Sequence, residues 1–177
     1  MPSPQSLSEN DRRLVAAWAA DCAERVLPLF EAEAPTDDRP RDAIARARAF
    51  ARGELSAAGE IRRRFVAGRA AHSASSPAAQ AAARAAAQAA GVAHMGAHAL
   101  GAAAYAAKAA ALVAPDGDGS AEIAWQLEHM SDPVRSALRR LPLLGEDSSG
   151  PLGSGLLASG GLGANIRAVQ SALTTDP

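Results

Sequence analysis

Alanine supplies 47 of the 177 residues, and no other feature of this sequence limits its fold so strongly. A methyl side chain loses no rotamer freedom in a helix, whereas strands are built from β-branched and aromatic residues. Aromatic residues make up only 3% of the chain, so a β-sandwich or a parallel-sheet α/β fold is excluded. More than half of the apolar inventory is methyl groups, so the core must be thin and closely packed. These constraints predict an all-α fold, a compact alanine-rich bundle of about six to seven helices.

The first helix should start at Ser8, whose hydroxyl can cap the turn Glu9-Asn10-Asp11. Leu14, Trp18, Cys22, Val26 and Leu29 recur at spacings of four, four, four and three, one stripe facing the bundle. Pro28 interrupts that stripe and predicts a kink or break near 24–28. A second helix follows Pro40 and a third begins at Ser56. Ser76-Pro77 opens an alanine run that glycines 91 and 96 divide into helices of roughly 77–92 and 95–113. Two short helices are expected at roughly 121–130 and 133–141. Beyond them the Gly- and Ser-rich residues carry one weak amphipathic segment, 164–173. This divides the chain into a helical domain over 8–141 and a flexible, mostly disordered tail over 142–177.

The formal net charge of -1 argues against a constitutive nucleic-acid binder. Charge is nonetheless uneven: residues 37–69 carry nine basic and five acidic groups, between acidic ends. Such a segment serves either intramolecular charge matching or a partner surface. Arg62, Arg63, Arg64 and Arg69 are the candidates for the surface, and a helical DNA- or RNA-associated module is the third reading it permits. The lone Cys22 forms no internal disulfide. The first residues have neither a basic n-region nor an apolar h-region, and a cytoplasmic protein with no membrane span is expected.

His94, His98, Gly101, Tyr105 and Lys108 follow at four, three, four and three, and share one helix face. Two histidines a turn apart suit Zn²⁺, but no carboxylate or cysteine lies nearby in the chain to complete the set. The alternative is a structural polar network in which Asp21 and Arg25, beside Trp18, meet the His94–Tyr105 face. A metal-binding protein or metal-dependent enzyme using His94 and His98 stays open beside it. Asp116-Gly117-Asp118-Gly119-Ser120 lacks the sixth-position glycine and twelfth-position carboxylate of a calcium loop and reads as a turn and cap. No phosphate-cradling motif and no paired nucleophile and base are present, so neither catalytic residues nor a cofactor are expected.

Three blocks together resemble a known family: Trp18 to Glu31, with Asp21-Cys22, Glu24-Arg25 and Pro28; Asp38-Arg39-Pro40-Arg41 with Ala47 to Glu54; and Ala93-His94 through Lys108. The chain is similar to the immunity-protein-5-like family of bacterial immunity proteins over residues 11 to about 141. It departs from that pattern in the long tail and in Phe50, where the family often shows a second tryptophan. The resemblance implies a non-enzymatic protein whose partner is a cognate toxin of a polymorphic toxin system, blocked at its active site or substrate path. Trp18, Asp21, Arg25, His94, His98, Tyr105 and Lys108 lie in the motif blocks, as structural or partner-binding groups.

Overall fold

In a computed structural model the chain is all-α, with no strand among the described residues, which are 3–63 and 65–175. Arg64 of the arginine strip, the first two residues and the last two of the expected tail lie outside that description. The helices are α1 (Glu9–Glu31), α2 (Arg39–Ala51), α3 (Ala57–Arg63), α4 (Val66–Ala70), α5 (Pro77–Gly91), α6 (His98–Val113), α7 (Ser120–Glu128), α8 (Asp132–Leu138) and α9 (Gly160–Thr175). Serine caps fix two of these starts: Ser8 Oγ accepts from the Asp11 N–H and Ser76 Oγ from the Ala79 N–H, both at 3.1 Å. The expected third helix is divided into α3, which ends at Arg63, and α4, which begins at Val66.

α1 runs through Pro28 without interruption. The break expected there fails because Pro28 and Glu24 both face solvent, so the Glu24 carbonyl that loses its intrahelical donor is not buried. The predicted stripe is buried at Trp18, Cys22 and Val26 but opens at its ends, with Leu14 40% exposed.

α6 is the centre of the bundle. Residues 99–107 are buried without a gap, the pattern of a helix covered on every side. α5, α1, α9 and α7 surround it, and the α5–α6 pairing is the most extensive in the molecule. That pairing is methyl on methyl, with Ala82, Ala86 and Ala89 of α5 and Ala99, Ala103 and Ala106 of α6 all buried. Lys108 is the first exposed residue of α6 and ends this buried run.

Much of the positive charge of residues 37–69 is matched within the molecule. Arg46 forks onto the buried Glu60 at 2.5 and 3.1 Å, Arg48 reaches Glu24 and Asp21 at 2.7 Å, and Arg41 reaches Glu31 at 2.7 Å. Arg39, Arg52 and Arg63 pair with Asp37, Glu54 and Asp42. The basic helix α2 is thus tied to the acidic α1 beside it.

The disordered tail is not found. α9 packs on α6, burying Leu162, Ile166, Val169 and Leu173, while Leu144 and Leu152 anchor the irregular segment before it. Gln5 holds that segment from the other end of the chain, donating to Asp147 at 2.8 Å and to the Ser149 carbonyl at 2.7 Å, and accepting from the Leu152 N–H at 2.9 Å. Gln170 bridges α9 to the same segment, through the Leu144 N–H and the Pro142 carbonyl at 3.0 Å each. Glycine content suggested disorder, but four apolar residues spaced four, three and four complete a face that the bare side of α6 requires.

Candidate functional site

The residues of the expected polar network are parted between different partners. Trp18, 2% exposed, donates its indole N–H to the Gln126 carbonyl at 2.9 Å, which sets α1 against α7. Arg25 takes Glu122 in a fork, with Nε at 2.9 and 3.1 Å and Nη2 at 3.0 Å. Its guanidinium also lies 4.0 Å from the Trp125 ring centroid, and Trp125 in turn stacks on His129 at 4.0 Å. Asp21 turns the other way, to Arg48 of α2. Neither side chain joins the His94–Tyr105 face, because α1 presents this part of its polar surface to α2 and α7 rather than to α6. Cys22 is buried between these groups, and burial first, then the Glu122 and Asp21 charges, push its thiol pKa up.

His94, His98 and Tyr105 gather elsewhere, on a cleft of about 630 Å³ between α4, α5 and the start of α6. Phe65, Arg69 and His72 line one side, and Arg84, Gln88 and Gly91 the other. Three of the four histidines of the chain are therefore on one concave surface, with two arginines and no carboxylate among the described lining residues. His98 is held by Gln88, whose Oε1 lies 2.8 Å from Nδ1; an oxygen there only accepts, so Nδ1 carries the proton. Two glycines make room for that pair. A Cβ on Gly91 would lie 3.0 Å from the His98 ring, and one on Gly101 would sit on Gln88 Oε1. Gly101 thus belongs to the sequence face for a steric reason rather than a chemical one.

Tyr105 is 3% exposed and its hydroxyl has no hydrogen-bond partner among the described residues. Arg69 and Arg84 likewise make no ion pair or side-chain hydrogen bond there, in contrast to the paired arginines of α2. The His94 and His98 rings are 6.5 Å apart, and no group of three or more His, Cys, Asp or Glu among the described residues is placed to hold a metal ion. Lys108 stands apart from the cleft, beside the 114–119 loop and Asn165 of α9. Arg62 is exposed and unpaired among the described residues, whereas Arg63 faces Asp42 at 3.5 Å.

Sequence reasoning missed Arg84 and Gln88. Their signal was present: Arg84, Gln88 and Gly91 follow at four and three along α5, the same face rule that singled out His98 and Tyr105 on α6, whereas His94 lies in the turn before α6 and not on its face. It also passed over Glu122, the carboxylate that Arg25 needs, since nothing local to either residue reports a contact 97 positions away.

The fold and the deeply set tryptophan and Arg25–Glu122 pair define a small helical protein whose motif residues hold helices together. Residues 5–133 match the profile of the family described as Imm-5 like putative immunity protein. The chain belongs to that family. No curated protein and no solved structure compared with the chain matches it.

Proposed function

We propose that this protein binds a cognate bacterial toxin in the cytoplasm and neutralises it without catalysis, by covering the toxin's active site or substrate path. Membership of the immunity-protein family carries the reading. The surface of α3 and α4 is where the partner docks. Phe65 is 60% exposed there in a chain with few aromatics, flanked by Arg62, Arg63 and Arg69, and aromatic and arginine side chains are the residues most often decisive at interfaces. Arg62 and Arg69 are not neutralised by a carboxylate of the described chain, so they suit an acidic toxin surface.

The test is co-expression with the toxin found by affinity capture from the natural host. Protection from that toxin, with a one-to-one complex on gel filtration, is the expected outcome. Phe65→Ala with Arg62→Glu should weaken the complex about a hundredfold and abolish protection while leaving the melting temperature unchanged. Capture of no toxin, or protection without a complex, overturns the reading.

A further inference from the structure

The cleft between α4, α5 and α6 gathers two arginines and three histidines on one surface. Elsewhere, many arginines meet carboxylates, as Arg25, Arg39, Arg41, Arg46, Arg48, Arg52 and Arg63 do, whereas Arg62 of α3 and Arg12 of α1 do not among the described residues. At the cleft, Arg69 of α4 and Arg84 of α5 both line the opening, with no carboxylate among the described lining residues. His72 and His94, the latter with its ring 6.5 Å from that of His98, add two more polar rings, and Tyr105 brings to the wall a hydroxyl with no hydrogen-bond partner among the described residues. Its oxygen is not sealed off from solvent, so the hydroxyl is available in the open cleft to donate to a ligand oxygen.

We infer that this cleft binds a small phosphate monoester. Two arginines, a tyrosine hydroxyl and imidazole rings line the cleft, and the several acceptor oxygens of a terminal phosphate can satisfy more such donors at once than one carboxylate can. The space of about 630 Å³ exceeds what the phosphate alone would fill and lies in the range of small-molecule sites. Phe65, Ala87 and Gly91 give the rest of the opening an apolar lining suited to a flat organic group. The His98–Gln88 pair stiffens the floor, since Gly91 and Gly101 leave each of the two side chains one close position. The inference does not rest on toxin binding, and either can fail without the other.

The full chain is titrated by calorimetry and by NMR with 5′-AMP, inorganic phosphate and acetate. Saturable one-to-one binding of 5′-AMP is expected, with shifts confined to residues around Arg69, His72, Arg84 and His94. Arg84→Gln and Arg69→Gln each weaken it at least about tenfold, and Tyr105→Phe about fivefold with the melting temperature retained. Arg62→Gln, outside the cleft, changes it less than about twofold. Inorganic phosphate binding as tightly as 5′-AMP identifies the free ion as the ligand, and tighter 5′-AMP binding identifies the ester; both sustain the phosphate site. It is overturned by the absence of saturable binding of either probe at about 10 mM, well above the weakest useful affinity. Acetate binding more tightly than phosphate also overturns it, as does an Arg62→Gln loss equal to that of Arg84→Gln.

Discussion

Arg25 of α1 and Glu122 of α7, 97 residues apart in the chain, form a forked ion pair in which the carboxylate is 7% exposed and the guanidinium 40%. Trp125 covers one face of the guanidinium, so the pair fixes the angle of α7 as well as its position. Arg25→Ala leaves a buried carboxylate without its partner and should cost about 2 kcal/mol. Thermal melts should show a loss of roughly 4–8 °C in a chain of this size. Adding Glu122→Gln to Arg25→Ala should recover part of that loss, and a double-mutant cycle reads the coupling.

Ile166 of α9 is fully buried against the bundle. Ile166→Ala should therefore destabilise the whole protein by about 3 kcal/mol, in one cooperative transition. A flexible tail would give no change. Chemical denaturation followed by tryptophan fluorescence checks this, because both tryptophans, Trp18 and Trp125, lie outside α9.

Gly101→Ala offers a steric test of the cleft. Its methyl would displace Gln88 from His98, but Gln88 is a flexible side chain and alanine is the better helix former by about 1 kcal/mol. The expected result is a melting temperature within about 4 °C of the parent. The His98 Nδ1–H resonance should shift or broaden through faster exchange. An unchanged resonance would show that Gln88 does not hold that ring.

Stability should fall in acid for an identifiable reason. The Arg39 fork, helped by Ser73, holds the Asp37 carboxyl down at about 2, and Arg48 holds Glu24 below its ordinary value. Unfolded carboxyls take up protons near pH 4. The Asp37 contribution is therefore complete above about pH 5 and is lost as the pH falls through about 2, and that of Glu24 is lost on the acid side of its ordinary value. Asp37→Asn should lower stability by about 1 kcal/mol or less at pH 7, since Arg39 is partly in water, and by clearly less at pH 2, where the carboxyl is about half protonated. Urea unfolding at the two pH values measures the difference.

Cys22 should be inert in the folded protein. Its thiol is buried and its pKa raised, and the thiolate is the reactive form. Iodoacetamide at pH 8 should leave native protein unmodified and label it fully in denaturant, by mass spectrometry. Rapid native labelling would mean that α1 opens locally.

The alanine content alone determined an all-α bundle, because methyl side chains favour helices and pack only when helices approach closely. Helix starts at Ser8 and Ser76 and the division near Gly91 were equally legible, since caps and breaks act within a few residues. The face expected for His94, His98, Gly101 and Tyr105 is only partly a helix face, since α6 begins at His98 and His94 lies in the turn before it, although both histidines and Tyr105 line one cleft. What surrounds them there was not legible. Arg69, His72 and Arg84 come from other helices, and the acids Asp21 and Glu122, which sequence proximity left unassigned or offered to the histidines, are taken by Arg48 and Arg25. The last 30 or so residues show the same limit. Their glycines predicted disorder from local propensity, whereas Gln5 and the bare side of α6, more than 50 residues away, supply the contacts that order them. Local rules reach one helical turn; burial and ion pairing are decided by whichever surfaces the completed bundle brings together.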